Sequence, residues 1–143
     1  LEANGLVDSW YVSYASDADS AIAPAGISDQ VVLFRSSTGA QLLVSMSDVS
    51  TYTDRLSNGW SFTVQETDLQ IGDLTQVVVV RSEGGGVSSV RYIIDFSYRN
   101  FYHMVTGWDE ENEMSLDYLA NVARTLLAKL ESAPLSNIVT YHP

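Results

Sequence analysis

Four carboxylates crowd into one short stretch of this 143-residue chain: Asp109, Glu110, Glu111 and Glu113. Such a cluster can hold Ca²⁺ where backbone oxygens complete a shell of about six to eight ligands. These four residues are the chain's metal candidates. The Asp-x-[Asp/Asn]-x-[Asp/Asn]-Gly spacing of a calcium loop is missing, however, and the charges stand just before a predicted helix, where the N-terminal dipole favours them without any ion. Asp17 and Asp19 form a weaker pair in a loop-like stretch. There are two histidines, His103 and His142. A hydrolase-like or metal-dependent enzyme would need His103 and the carboxylates near Asp109 to converge in one cleft. No Gly-x-Ser-x-Gly elbow is present, and a lone histidine has many structural uses. Gly84-Gly85-Gly86 lacks the lysine or the following helix of a phosphate cradle, and the segment after it alternates like a strand, so it reads as a hairpin loop. No residue set stands out as catalytic, and no cofactor motif is visible.

The charge balance narrows the partners. Eighteen acidic residues against seven basic ones give a formal net charge of −11. Binding to nucleic acid depends on clustered Lys and Arg, and docking on anionic lipid depends on basic segments. Neither is expected here, and the acidity reads first as solubility. Cysteine is absent, which excludes disulfides, thiolate nucleophiles and iron–sulfur clusters. No apolar run approaches the ~20 residues of a membrane span. The opening Leu1-Glu2-Ala3-Asn4-Gly5 reads as a cut within a longer protein, with room for a signal or lipid anchor upstream.

A single domain over 1–143 is expected from length and composition, with a flexible tail over 133–143 in which Ile138, Val139 and Tyr141 suit a short edge strand. Trp10 to Tyr14 suits a strand, and Ser16 to Gly26 reads as a loop. Val31 to Arg35 is a compact apolar strand. Ser36-Ser37-Thr38-Gly39 reads as a hairpin turn, which makes Ala40 to Met46 the partner strand. Ser50 to Leu56 is a candidate short helix stopped at Asn58-Gly59. Trp60, Phe62 and Val64 alternate with polar residues as in a half-buried strand. Val77-Val78-Val79-Val80 is apolar on both faces and reads as a central strand covered on two sides. Val87 to Arg99 alternates over its length, Arg99-Asn100 reads as a turn, and Phe101 to Trp108 returns as the next strand. Strand alternation puts His103 and Val105 on one face, and Tyr102, Met104 and Thr106 on the other. Tyr92, Phe96 and Tyr98 share a face and read as core; lining a groove instead, they would suit an apolar ligand or peptide. Leu116, Leu119, Ala120, Ala123, Leu126, Leu127 and Leu130 recur at helical spacing, with Ser115 as N-cap, Asp117 in the first turn, Lys129 in the last and Pro134 beyond.

The fold class is therefore α+β: a mainly antiparallel sheet with a long C-terminal helix packed on it and a short helix on the other side. The order resembles the PsbP-like family. The resemblance rests on Trp10-Tyr11-Val12-Ser13-Tyr14 as opening strand, the Gly39 region and Asn58-Gly59 in the middle, Arg91-Tyr92-Ile93-Ile94-Asp95-Phe96 with Tyr102-His103-Met104-Val105-Thr106-Gly107 as closing strand pair, and Leu116 to Leu130 as final helix. It implies an α/β/α sandwich, usually outside the cytoplasm, that binds rather than converts, and it transfers no catalytic residue.

Three functions follow as expectations. The first is a non-catalytic binding or assembly domain of an exported or surface-anchored bacterial protein, periplasmic or on the cell surface, recognising a protein partner or small ligand. The second is the enzyme built on His103 and the Asp109 carboxylates. The third is a spacer domain of a larger surface protein. The helical stripe needs a sheet face to cover it, so Leu126→Asp is expected to unfold the domain. A cooperative thermal transition retained in that variant would show that the helix is not core.

Overall fold

Val77, Val78, Val79 and Val80 are each no more than 5% exposed, so their strand is covered on both faces as the uninterrupted valine run demands. The computed structural model describes residues 5–15, 26–47, 60–64, 67–84, 87–109 and 114–133. Its strands are β1 (Leu6–Ala15), β2 (Gly26–Phe34), β3 (Trp60–Val64), β4 (Leu74–Gly84), β5 (Val87–Tyr98) and β6 (Phe101–Asp109); its helices are α1 (Ser37–Met46) and α2 (Leu116–Ser132). The strands form one six-stranded sheet in the order β1-β2-β6-β5-β4-β3, with every neighbouring pair antiparallel.

Each face has its own core. On one, Val77, Val79, Val90, Ile94, Phe96 and Val105 meet Leu119, Ala120 and Ala123 of α2. On the other, Val32, Phe34 and Tyr102 meet Ala40 and Val44 of α1, and Val78, Val80 and Ile93 continue the same layer. This is the α+β architecture expected of the sequence, with helices on opposite faces.

The hairpin expected over Ser36–Gly39 is not formed, and Ala40 to Met46 is not a strand: Ser37–Met46 is α1. Ser36 caps the helix, its Oγ accepting from Gly39 N at 3.4 Å. Three apolar residues in a row, Leu42, Leu43 and Val44, break strand alternation, whereas Ala40, Val44 and Ser47 are buried at helical spacing. The short helix over Ser50–Leu56 and the tail beyond Ala133 fall outside the described residues.

At the other end of the chain, Ser115 Oγ accepts from Tyr118 N at 3.1 Å and starts α2. Met114, just before the cap, and Leu119 in the first turn lie so close to β6 that a Cβ on Gly107 would stand 2.7 Å from Met114 Cε and 3.0 Å from Leu119 Cδ1; the glycine leaves the gap that these two side chains fill. The β5–β6 turn comes at Arg99-Asn100 as its residues suggest, with Arg99 at φ +54°. It is held from two sides: Arg99 N donates to Asp73 Oδ2 at 2.7 Å, and Asn100 Nδ2 donates to Phe34 O at 2.8 Å. Among the described residues no helix is long and apolar enough to cross a membrane.

Leu119 is fully buried between α2 and the sheet. Leu119→Ala is expected to cost about 2–5 kcal/mol, from lost burial plus the cavity left behind. Urea unfolding should show a lowered midpoint with an unchanged slope.

Candidate functional site

Polar chemistry is concentrated at two buried centres, one on each face of the sheet. On the α1 face, Asp95 sits mid-strand in β5, in register with Gln76 of β4 and Met104 of β6. Its side chain is wholly buried. The Tyr102 hydroxyl donates to Asp95 Oδ1 at 2.5 Å, a short bond of the kind a charged acceptor makes. Asp95 Oδ2 and the neighbouring Ser97 Oγ have no hydrogen-bond partner. Burial pushes the Asp95 carboxyl up from 3.8 to about 6, against the opposing pull of Tyr102 and then of Ser47. Ser47 is the C-cap of α1, and its hydroxyl is committed to Leu43 O at 3.2 Å. Asp95 is thus a proton-binding group sealed beneath α1.

On the α2 face, His103 Nδ1 lies 3.2 Å from Asp29 Oδ1, and its ring stacks on Phe96 with centroids 4.8 Å apart. His103 is 3% exposed, and Nε2 has no partner. Asp29 pairs with Val105 in the β2–β6 register, two positions from His103, which makes it the diagonal same-face neighbour within reach of a long side chain. His103, Val105, Gly107 and Asp109 follow one another on this face, as alternation requires. Asp109 is six residues along, however, about 20 Å at strand rise. The carboxylate His103 meets is that of Asp29, and His103 and Asp109 do not share a cleft.

Asp109 itself is buried, and its Oδ2 accepts from Met114 N at 3.1 Å, tying the end of β6 to the start of α2. Glu110, Glu111 and Glu113 lie outside the described residues, as do Asp17, Asp19 and His142. Among the described residues no cluster of three or more His, Asp or Glu side chains could hold a metal ion.

Among the described residues, the longest run of exposed large apolar side chains lies on β1. Trp10, Tyr11 and Val12 are consecutive on β1 and 48%, 64% and 43% exposed. β1 is an edge strand paired with β2 alone among the described residues, and its single charged residue is Asp8.

No protein-family model matches the chain, and no curated protein matches it in sequence. Its fold is similar to that of the extracellular domain of PknH from Mycobacterium tuberculosis, with a TM-score of 0.61 and 14% identity over 88% of this chain and 66% of that one. The likeness is one of fold. The chain spans about two thirds of that domain's length, and its architecture is one found in an extracellular domain.

Sequence reading passed over Asp95 and Asp29. The signal for Asp95 was Ile93: an apolar residue on the second face of β5 marks that face as buried too, so the acid two residues on shares its burial. Asp29 gives no such signal, because it meets His103 only through the β2–β6 register.

The raised carboxyl of Asp95 links stability to pH. The group is more readily protonated in the folded chain, so its contribution is fully present below pH 3.8 and is lost as pH rises to about 6. The full rise corresponds to about 3 kcal/mol. Asp95→Asn keeps an acceptor for Tyr102 without the charge. It is expected to be more stable than the parent at pH 7 by about 1–3 kcal/mol and no more stable at pH 4. Denaturant titrations at both pH values check this; equal destabilisation at both would show that the carboxylate itself is required.

Proposed function

We propose that this chain is a non-catalytic recognition or assembly domain acting outside the cytoplasm, with the open edge of β1 as its recognition surface. The observation that carries this reading is the run Trp10-Tyr11-Val12. Large apolar side chains stand in water on consecutive positions of a strand whose outer hydrogen-bonding edge is unpaired among the described residues. Native sheets ordinarily guard such an edge with Lys, Pro or a covering element, and β1 contains neither Lys nor Pro. An open edge offers a row of main-chain donors and acceptors to an incoming strand, with side-chain contacts adding specificity. A protein partner fits this surface better than a small ligand, which favours a concave pocket.

Two further observations support it. His103 and Asp95, the groups best suited to proton transfer, are both closed off from solvent, and each sits beneath or beside core rather than on the β1 edge. The fold likeness to an extracellular domain favours a place in the periplasm or on the cell surface.

The reading is tested by placing a photo-crosslinking phenylalanine analogue at position 11 in cells expressing the chain, with the exposed Tyr118 of α2 as control site. A discrete adduct is expected from position 11 and not from 118, and it should disappear when Val12→Lys is added. Equal labelling from the two sites, or none from position 11, would remove β1 as a recognition surface.

A further inference from the structure

We infer that the partner of the β1 edge is β1 of a second copy of this chain, paired antiparallel about a two-fold axis at Tyr11; the inference rests on β1 being the recognition surface. Four observations point to this occupant.

The first is self-complementarity. A two-fold interface needs one patch that fits itself, and an antiparallel strand edge does so along its main chain. Centring the axis on Tyr11 sets Tyr11 opposite its own copy and Trp10 opposite Val12 of the other chain. This is the one centre that pairs all three exposed apolar residues among themselves. Aromatic and β-branched pairs across strands are favourable. Centring on Trp10 would instead set Val12 against Asp8.

The second is charge. A chain of net charge −11 repels its own copy wherever its carboxylates lie close, and β1 carries only Asp8. In the Tyr11-centred register the two copies of Asp8 stand six positions apart, about 20 Å along the strands and well beyond the screening length at physiological salt. A cationic partner would find little to bind on this strand.

The third is room. The principal contacts of α1 are with β2, β4, β5 and β6, and those of α2 are with β5 and β6. Neither described helix takes β1 as a principal packing partner, so among the described residues there is room for a second sheet to continue the first beyond Trp10 to Val12.

The fourth is the strand itself. β1 runs for ten residues, and its register with β2 is regular from Asp8 to Ala15, the sole irregularity lying between Leu6 and Asp8. The stretch around Tyr11 is therefore undistorted where the copies would meet.

Sedimentation of the full chain should show a monomer–dimer equilibrium below about 1 mM. The dimer should strengthen as salt rises from about 20 mM to about 500 mM, because screening removes the net repulsion. Tyr11→Asp, which sets like charges directly opposite, should leave the thermal transition in place and abolish the dimer. The register is read separately, since the chain has no cysteine of its own. Opposed residues lie about 4.5–5.5 Å apart at Cα, within disulfide reach. Tyr11→Cys should oxidise to a covalent dimer. Ser9→Cys alone should not, since its copy is about 14 Å away, but Ser9→Cys mixed with Ser13→Cys should. A chain monomeric at both salt concentrations, or Ser9→Cys linking to itself as readily as Tyr11→Cys, overturns the inference. A monomer that still gives a position-11 adduct of another mass overturns the second copy and leaves the recognition surface standing. A monomer with no position-11 adduct removes both.

Discussion

Because β4, β5 and β6 are covered on both faces, each inward side chain along them needs an apolar neighbour or a hydrogen-bond partner. Most meet the first condition through Val77 to Val80, Ile93, Ile94 and Val105. Two helices on opposite faces follow from it, since either face left bare would expose a contiguous apolar surface. Asp95 and His103 meet the second condition only in part, each retaining an atom without a protein partner, and Ser97 Oγ does not meet it. An unsatisfied buried atom costs about 1–3 kcal/mol, so the middle of the sheet carries a polar cost alongside its apolar gain.

The parts of this architecture legible in the chain are those with a strong period. The alternation of Val90 to Tyr98, the valine run and the stripe from Leu116 to Leu130 each had one physical solution, and the capping Ser115 fixed where the last helix begins. The stretch Ser36 to Met46 was ambiguous because Ser-Ser-Thr-Gly serves a turn and a helix start equally well. What decides it is burial of Ala40 and Val44 against Phe34 and Tyr102, a tertiary fact. Local residues reveal position along an element, and they are mute about what the register brings alongside. Asp29 is 74 positions from His103; nothing near either residue announces the other. The acidic run at Asp109 invited a metal reading, yet the described member of that run works as a tie between β6 and α2.

The sheet is asymmetric from centre to edge. Its middle strands are apolar on two faces and carry the sealed acid and the sealed histidine. Its β1 edge is nearly neutral, aromatic and wet, within a chain that is otherwise strongly acidic. Electrostatic repulsion between like copies is low along that strand, which carries one charge in ten residues. In the proposed pairing, charge permits contact along β1 rather than attracting a partner.

The strand order has a consequence for how the chain assembles. β3, β4, β5 and β6 form a run of neighbours close in sequence, whereas β2 must pair with β6 across a long separation, from Leu33 with Phe101 to Gly26 with Trp108. Closing so long a loop costs entropy before any contact repays it. The meander of β3, β4, β5 and β6 is therefore the natural nucleus, and β1 with β2 joins late. On a ribosome β1 and β2 emerge first and have one another to pair with, but the free edge of β2 has no sheet to enter until β6 has followed, so an aromatic two-strand hairpin waits while the rest of the sheet is made.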